Sequence, residues 1–494
     1  MFIKKSISAI VMASLLFSSS LIDTVKASTP YEAYNYNYWE EAVASPAAYI
    51  PDKVITGLDL GIGSLLEPND FALGSDGRKY ISDTGNKRII VVSQDWKVEQ
   101  IIEGYMSSAG VMTNFENPTG LFVDHDNLLY VADSVLGQVI AFDEQYKVTL
   151  VIDNPQSDII AAGFKFVPLK IAVDEAKRIY VVASGVFEGI MQFDTDGSFL
   201  GYIGTNEVKR DYYEIMWRMF STKEQLSKSV LFIPTEFSNL DLDQKGFLYA
   251  TNIDISTQTP IKRLNPSGVD VLKRYGYFDV KGDIFFRGSI GPSRFVDIKY
   301  LNDGLYSGLD SNQGKIFTYD AEGNLLYIFG AIGNQEGTFK TPVALEFDGA
   351  RHYVLDRAKA NISIFKPTKF GKLVNEASRL HYNGFSKEAV PIWEEVLTLN
   401  SNYDVAYIGI GRSLVMAKQN EEAIFYFKQG MEREQYSVAF KRFRREEMKE
   451  HFSAVMTIIV IGAIATIGLL MWRKLRRKNM KFRNSHTVGR DQAL

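Results

Sequence analysis

The chain has 494 residues, a length that predicts two or three folded units rather than one. Its residues are 46% hydrophobic, 23% charged and 13% aromatic, which is a globular composition rich in the aromatic side chains that favour β-strands. There is no cysteine, and this excludes disulfides, thiolate zinc sites and cysteine nucleophiles.

The two ends of the chain carry targeting signals. Residues 1–27 are predicted to be a signal peptide, because Lys4 and Lys5 precede a short apolar stretch and a small-residue cleavage site before Ser28. An uncleaved anchor is the alternative interpretation. Residues 453–472 contain no charge and are predicted to be a transmembrane helix, since 20 helical residues cross about 30 Å of hydrocarbon.

The basic tail sets the expected orientation. Residues 473–494 carry a net charge of +7, so the positive-inside rule predicts a cytoplasmic tail that also contacts anionic lipid. We therefore expect a single-pass protein of the cell membrane, with the N-terminal domain extracellular and the C-terminal tail cytoplasmic. The portion between the two signals carries −13, and this acidic balance argues against a nucleic-acid partner.

A Tyr-rich lead-in, residues 28–53, precedes a series of internal repeats. Each repeat places an apolar strand, a polar turn and a second apolar strand after a proline. The six prolines are spaced by 50, 50, 66, 58 and 50 residues: Pro68, Pro118, Pro168, Pro234, Pro292 and Pro342. Residues 118–152 show four short strands, which is one propeller blade. The repeats predict an all-β propeller of six blades over residues 54–367.

The last repeat lacks its own fourth strand. Residues 54–57, ahead of the first proline, have the pattern of that strand in the first repeat. We expect them to complete the sixth blade and so to remove an open sheet edge. The lead-in is expected to pack on the propeller surface.

One segment resembles a known repeat. Residues 80–89, YISDTGNKRI, are similar to the signature of the NHL repeat, with weaker copies at Asp133, Asp310 and Asp356. The resemblance implies a propeller fold and does not imply a particular function. Asp83, together with Asn86 and Arg88, is interpreted as a turn residue with a structural role.

The pattern changes to helical periodicity after the propeller. Residues 370–435 resemble two tetratricopeptide repeats, with Ala389 and Ala423 separated by the 34-residue period of that family. The sequence Asn400-Ser401-Asn402 replaces the usual closing proline. Such a pair forms either a protein-docking groove or a spacer, and its shortness favours the spacer. Residues 436–452 are expected to be a juxtamembrane helix leading to the transmembrane segment.

A candidate ligand site follows from the repeat alignment. The residues two positions after the prolines should lie near one mouth of the channel: Asp70, Gly120, Lys170, Glu236, Arg294 and Ala344. Mixed charges of this kind pair with one another more naturally than they hold a dication. Insertions at residues 206–229 and 279–291 add Trp217 and Phe286, which could stack on a ligand. The predicted site therefore comprises Asp70, Lys170, Glu236, Arg294, Trp217 and Phe286.

Three functions are compatible with this sequence. The leading hypothesis is a membrane-anchored extracellular binding protein without a cofactor, whose ligand is a carbohydrate, a peptide or a protein partner. The second is a pure scaffold for a membrane transport or envelope complex. The third is a metal-dependent hydrolase similar to the gluconolactonases, with hard oxygen ligands drawn from Asn69, Asp70, Glu236 and Asn239. Since no catalytic triad or histidine cluster is recognisable, the sequence favours a protein that is not an enzyme.

Overall fold

The repeats form a ring of six antiparallel sheets. In the computed structural model the first strand of each sheet contacts the first strand of the next, and the sixth contacts the first. The structure describes residues 29–107, 110–161, 163–205, 235–254, 257, 259–283 and 290–488, with side chains to residue 480. The predicted six-bladed propeller followed by a helical region is thus confirmed.

The blades follow one another along the chain, and their strands are numbered in chain order. Blade 1 contains β4 (Asp70–Leu73), β5 (Lys79–Asp83), β6 (Arg88–Val92) and β7 (Val98–Ile102). A small hairpin of β8 (Gly104–Met106) and β9 (Met112–Asn114) leads to blade 2, which contains β10 (Pro118–Val123), β11 (Leu129–Asp133), β12 (Gln138–Phe142) and β13 (Val148–Asp153). Blade 3 contains β14 (Pro168–Val173), β15 (Ile179–Ala183), β16 (Ile190–Phe193) and β17 (Phe199–Ile203).

The remaining blades vary the pattern at their outer strands. Blade 4 shows three strands among the described residues, β18 (Phe237–Leu242), β19 (Leu248–Asn252) and β20 (Ile261–Leu264). Blade 5 contains β21 (Phe295–Tyr300), β22 (Tyr306–Asp310), β23 (Lys315–Tyr319) and β24 (Leu325–Phe329). Blade 6 contains β25 (Pro342–Phe347), β26 (His352–Asp356), β27 (Asn361–Pro367) and, from the N-terminal part of the chain, β3 (Tyr49–Thr56).

The N-terminal segment supplies the outer strand of the sixth blade. Strand β3 pairs antiparallel with β27, from Thr56 opposite Asn361 to Tyr49 opposite Pro367. This strand begins five residues before the expected segment at 54–57, because the pairing continues along the whole length of β27. The lead-in before it forms β1 (Tyr34–Tyr36) and β2 (Ala42–Ala44), and the Asn35 amide donates to the Leu326 carbonyl of blade 5 at 3.2 Å.

The core lies between neighbouring blades. Side chains on the facing surfaces of blades 1 and 2 interlock, and the central ones, such as Tyr80, Val91 and Val131, are completely buried. Full burial of one such side chain stabilises the fold by about 1.5–3 kcal/mol. The second strand of each blade is buried at every position, because successive side chains pack against opposite neighbours: Tyr80 belongs to the cluster with blade 2 and Ile81 to the cluster with blade 6.

The NHL-like signature is explained by hydrogen bonds that recur in several blades rather than by a ligand. Buried Asp83 accepts hydrogen bonds from the Leu66 backbone N–H at 2.7 Å, and from the Asn86 and Arg88 side chains at 2.8 Å each. Asp133 accepts in the same way from backbone N–H groups of the connection that leads into its own blade. These carboxylates tie the end of a second strand to the start of the blade.

Two faces of the ring differ in construction. The turn face consists of the tight turns that join the first to the second strand and the third to the fourth strand of each blade. The loop face consists of the connections between blades and the turns that join second to third strands. Of the two insertions that were predicted from the repeat spacings, the whole of 206–229 and residues 284–289 of the second lie outside the described residues, and Trp217 and Phe286 are among them.

The helical region begins directly after β27. Helix α1 (Lys369–Tyr382) is capped by Thr368 and packs antiparallel to α2 (Ser386–Leu399), with Val374, Ala377 and Trp393 buried between them. On the turn face, the Arg379 guanidinium donates to the Leu301 carbonyl at 3.2 Å. Helix α1 therefore occupies part of the turn face of blades 4 and 5.

The chain divides into two compact units, residues 1–405 and 406–494. Helix α3 (Asp404–Met416) begins at this division, followed by α4 (Asn420–Gln429) and α5 (Arg433–Val488). In the second unit Ala423, Phe427 and Ala439 form a small buried cluster. Helix α5 includes a segment, Arg433–Met480, that is long and apolar enough to cross a membrane. The predicted juxtamembrane and transmembrane segments both lie within this one continuous helix. This is weak evidence for an anchor.

Candidate functional site

The first strands of the six blades line the channel and place one residue each at the same level. The strand pairings identify these residues, which we call the first ring: Asp70, Gly120, Lys170, Asn239, Asp297 and Ala344. Gly120 is required by close packing, because a Cβ at this position would lie 2.3 Å from the Leu169 carbonyl oxygen of blade 3. The ring is therefore narrow at blades 2 and 3.

Two of the predicted ring residues do not belong to it. The proline alignment placed Glu236 and Arg294 beside Asp70, but the strand pairings place Asn239 and Asp297 there. The reason is that Phe237 and Phe295, rather than the prolines three positions earlier, begin the first strands of blades 4 and 5.

Both displaced residues lie at the edge of the loop face. The Glu236 carboxylate accepts from the Gly185 backbone N–H at 3.0 Å, in the neighbouring blade. Arg294 has an exposed side chain, and its backbone N–H donates to Asp310 at 2.9 Å. Neither side chain reaches the channel lining, so the predicted six-residue site is not assembled as expected.

The first ring is linked by charge pairs and hydrogen bonds between blades. The Lys170 ammonium lies 2.7 Å from Asp70, whose other carboxylate oxygen accepts from the Leu121 backbone N–H at 2.7 Å. Across the channel, the Asn239 amide donates to Asp297 at 2.5 Å, and Asp297 accepts from the Leu345 backbone N–H at 2.6 Å. Each carboxylate thus joins its own blade to the next.

A second ring lies two residues further along the same strands. Here the Lys299 ammonium lies 2.9 Å from Glu346 and 3.5 Å from Asp241. Asp241 also accepts from the Tyr300 backbone N–H of the next blade at 2.7 Å. Blades 4, 5 and 6 are therefore joined by a lysine held between two carboxylates.

The channel lining carries more carboxylates than cations. Four acids and two lysines face it, and burial raises the pKa of Asp297 to about 8, assisted by the nearby Asp70 carboxylate and opposed by Lys170. Burial likewise raises the pKa of Glu346 to about 7, although Lys299 opposes the shift. Burial lowers the pKa of Lys299, but the surrounding carboxylates Asp241 and Glu346 outweigh it and raise that pKa. Both shifts favour the protonated acids and so oppose the excess of negative charge that four acids and two lysines give the lining.

The network leaves little free space. The cavity between the two rings has a volume of about 30 Å³, which holds one or two water molecules. Small-molecule sites usually measure roughly 300–1,000 Å³. A ligand the size of a sugar or a dipeptide therefore does not fit between the rings without breaking the charge pairs.

The four weak metal candidates do not fit a calcium site of the gluconolactonase kind. The Asn69 side-chain oxygen accepts from Arg357, and its amide donates to the Thr119 carbonyl at 3.1 Å. The Asn239 side-chain oxygen accepts from the Leu240 backbone N–H at 2.7 Å, while Asp70 is paired with Lys170. Within the described part of the chain, no group of three or more acidic or histidine side chains is arranged to hold a metal ion.

Sequence comparison identifies no relative: no known family model matches the chain, and no curated protein sequence matches it. The NHL and tetratricopeptide resemblances therefore rest on the residues quoted above. The class that the fold defines is the six-bladed β-propeller.

Solved structures include chains of similar fold. Virginiamycin B lyase from Staphylococcus aureus is 13% identical, with 64% of this chain and 99% of that chain covered and a TM-score of 0.39. A streptogramin B lyase is 10% identical, with 61% and 94% covered and a TM-score of 0.38. A protein of unknown function from Bacteroides thetaiotaomicron is 13% identical, with 62% and 70% covered and a TM-score of 0.41.

These comparisons correct one expectation. The sequence favoured a protein that is not an enzyme, yet two of the solved structures of similar fold are those of lyases, which are enzymes. These neighbours contradict the prediction that the chain is not an enzyme, which was drawn from the absence of a recognisable triad or histidine cluster. At 13% identity or less the likeness concerns the fold and transfers no activity to this chain.

Proposed function

We propose that this protein is a membrane-anchored, extracellular binding protein whose propeller docks a protein partner on its loop face. The observation that supports this most directly is the distribution of exposed apolar side chains over blades 1–3. Seven large apolar residues on the loop face are between 52% and 72% exposed: Leu58, Leu66, Met106, Val111, Met112, Val135 and Ile159. We call this set the loop-face patch.

The opposite face of the same blades differs sharply. Its six turns, all of which the structure describes, span residues 74–78, 93–97, 124–128, 143–147, 174–178 and 194–198. None of the exposed large hydrophobic residues falls within them. Exposed apolar residues scattered singly need no explanation, but a group confined to one face and surrounded by polar residues is typical of a protein-binding surface.

Charge indicates the chemistry of the partner. The loop-face connections of blades 1–3 carry six exposed carboxylates and two exposed lysines in the part that the structure describes. One of those lysines, Lys87, is paired with Glu116. A partner with an apolar segment flanked by lysine or arginine is therefore the best complement, while an anionic lipid surface is disfavoured.

The hairpin of β8 and β9 is the most prominent part of the patch. Met106 faces Met112 across it, and both side chains are more than half exposed. At the base, Tyr105 is buried and its hydroxyl donates to the Gln138 side chain of blade 2 at 2.7 Å. A fixed base with a methionine-rich tip suits an adaptable contact, since methionine side chains fit irregular surfaces.

Photocrosslinking in the native cell tests the proposal with the full chain. A benzophenone amino acid at Leu58, Met112 or Val135 should give the same crosslinked protein, and the same probe at Ser75 or Glu175 of the turn face should not. The crosslinked peptide of the partner should be apolar and carry net positive charge. Equal products from both faces, or crosslinks to lipid only, would contradict the proposal.

Matched substitutions give a second test. The double variant Met112→Ser and Val135→Ser should lose the crosslink from Leu58, whereas Leu200→Ser, which changes an equally exposed residue on the outer strand of blade 3, should retain it. Retention by both variants would show that the patch does not carry the contact.

A further inference from the structure

A second cavity lies away from the channel, beneath the N-terminal lead-in. It has a volume of about 690 Å³ and lies between the β1–β2 hairpin and blade 5, and we call it the hairpin pocket. Its size falls within the range of about 300–1,000 Å³ that is usual for small-molecule sites. Neither the sequence motifs nor the channel network accounts for it.

A compact polar group lines one side of the pocket. The Lys315 ammonium lies 2.5 Å from the Asp283 carboxylate and 2.6 Å from the Tyr34 hydroxyl oxygen. Asp283 also accepts from the Tyr34 hydroxyl at 2.7 Å and from the Tyr36 hydroxyl. These three donors leave about one acceptor site on the carboxylate, while an ammonium has three donors, of which two are engaged here. Lys315 therefore retains one donor for a ligand.

The described lining of the pocket carries one ammonium and two carboxylates. Lys315 and Asp283 neutralise each other, and the remaining charged residue, Glu32, is an exposed carboxylate. This excess disfavours an anionic ligand, because one engaged ammonium must face two carboxylates. A cation at Asp283 is disfavoured too, since the Lys315 ammonium already lies against that carboxylate and two tyrosine hydroxyls donate to it. A neutral ligand rich in hydroxyl groups remains.

The rest of the wall suits a flat ring. Tyr34 and Tyr36 lie on one face of the hairpin, directly opposite Ala44 and Ala42. Tyr36 is held rigidly, because its ring stacks on Phe278 at 4.2 Å between centroids. The two alanines leave space beside the aromatic rings, and the C–H face of a pyranose packs well on such a surface while its hydroxyls reach a lysine and a tyrosine.

We propose that the hairpin pocket binds a neutral carbohydrate, with the ring against the Tyr34–Ala44 wall and a hydroxyl accepting from Lys315. This inference does not depend on the loop-face patch, and either can fail without the other. The pocket would give the lead-in a function beyond covering the edge of blade 5.

Calorimetric titration of the full chain tests the proposal. The chain is held in lipid nanodiscs, because the sugar headgroups of glycoside detergents would compete with the probes for the pocket. The probes are D-glucose, D-galactose, D-xylose, N-acetyl-D-glucosamine and cellobiose, with D-glucuronate and D-glucosamine as charged counterparts. We expect saturable binding of at least one neutral sugar, and roughly tenfold weaker binding of its charged counterpart. Absence of binding by every neutral probe, or preference for a charged one, would overturn the assignment.

Two variants locate the binding site. Ala44→Leu fills the pocket from an exposed position opposite Tyr34 and leaves Lys315 and Asp283 in place, and we expect it to weaken binding by roughly tenfold or more. Ala350→Leu makes the same change at an exposed alanine in a turn of blade 6 and should bind as the wild type does. Lys315→Met should also weaken binding, with a melting curve to establish that the hairpin remains folded. Equal affinity of the two leucine variants would place any sugar site elsewhere.

Discussion

Replacement of Asp297 by asparagine removes the most strongly shifted acid of the channel. The side chain is buried, accepts from Asn239 and the Leu345 backbone N–H, and has a pKa raised to about 8 by burial. In an unfolded chain an aspartate titrates near pH 4. The folded protein therefore binds this proton more tightly than the unfolded chain does.

The sign and size of the effect follow from this difference. Between about pH 4 and pH 8 the folded state holds the proton and the unfolded state has released it, so stability falls as pH rises, by about 1.4 kcal/mol per pH unit. From about pH 5 to above pH 8 the wild type should lose about 4 kcal/mol through this one group. Asp297→Asn has no proton to lose. It gives up one hydrogen bond, at a cost of about 1 kcal/mol, at every pH.

The readout is therefore the pH dependence of the difference between the two proteins. We expect Asp297→Asn to melt slightly below the wild type at about pH 5 and several degrees above it at about pH 9. Near-ultraviolet circular dichroism of the aromatic-rich propeller measures both melting temperatures. Asp158→Asn, which changes an exposed carboxylate on the loop face, is the control and should follow the wild type. A difference between Asp297→Asn and wild type that is constant from pH 5 to pH 9 would refute the reasoning.

Three further predictions concern single residues. His352 is fully buried and its pKa is lowered to about 3 by burial, so this group should reduce stability as pH drops from about 6.5 towards 3. His352→Phe lacks this contribution, so its melting temperature should rise relative to that of the wild type as the pH falls through that window, and a constant difference would contradict the reasoning. Gly120→Ala should lower the free energy of unfolding by about 1–3 kcal/mol in thermal or denaturant unfolding, because the new Cβ meets the Leu169 carbonyl oxygen. Asp83→Ala leaves Arg88 without its buried partner and should cost about 3–5 kcal/mol by the same measurement, whereas a loss below about 1 kcal/mol would show that the signature aspartate is dispensable.

The repeats were sufficient to predict the fold, because each blade repeats the same local pattern of strand and turn. The sequence did not predict the irregular outer edge of blade 4. There, among the described residues, an isolated bridge between Leu264 and Asp270 stands in place of a fourth strand. The sequence did not predict that β1 lies beside β24 either. A contact between segments almost 300 residues apart produces no periodic pattern of residue types along the chain. The exposure of Met112 and Val135 was not visible either, as their sequence neighbours do not distinguish them from core residues.

The error in the predicted site has a specific cause. Proline begins the first strand in blades 2, 3 and 6 but is replaced in that role by Phe237 and Phe295 in blades 4 and 5. A better anchor was present in the turn that follows each first strand. There Asp124, Asp174 and Asp243 accept from the backbone N–H four residues later.

Counting back four residues from this aspartate, which is Asp348 in blade 6, gives the first-ring residue in blades 2, 3, 4 and 6. In blades 1 and 5 the equivalent turn position is occupied by Gly74 and Leu301, which offer no such side chain. A residue whose side chain holds a turn keeps its distance from the adjoining strand. A proline that only favours the start of that strand can be displaced by a few residues.

The channel network limits where this propeller can act. A channel joined by pairs such as Lys170–Asp70 and Lys299–Glu346 serves to hold the blades together, and opening it would expose buried, unpaired charge at a cost of several kcal/mol. The turn face is already contacted by helix α1, at blade 5 through Arg379 and at blade 4 through Tyr382. Partner binding is then best accommodated on the loop face, and ligand binding in the hairpin pocket at the rim. A variant that opens the channel, such as Lys170→Ala, should therefore lower the melting temperature without altering either kind of binding in the fraction that remains folded.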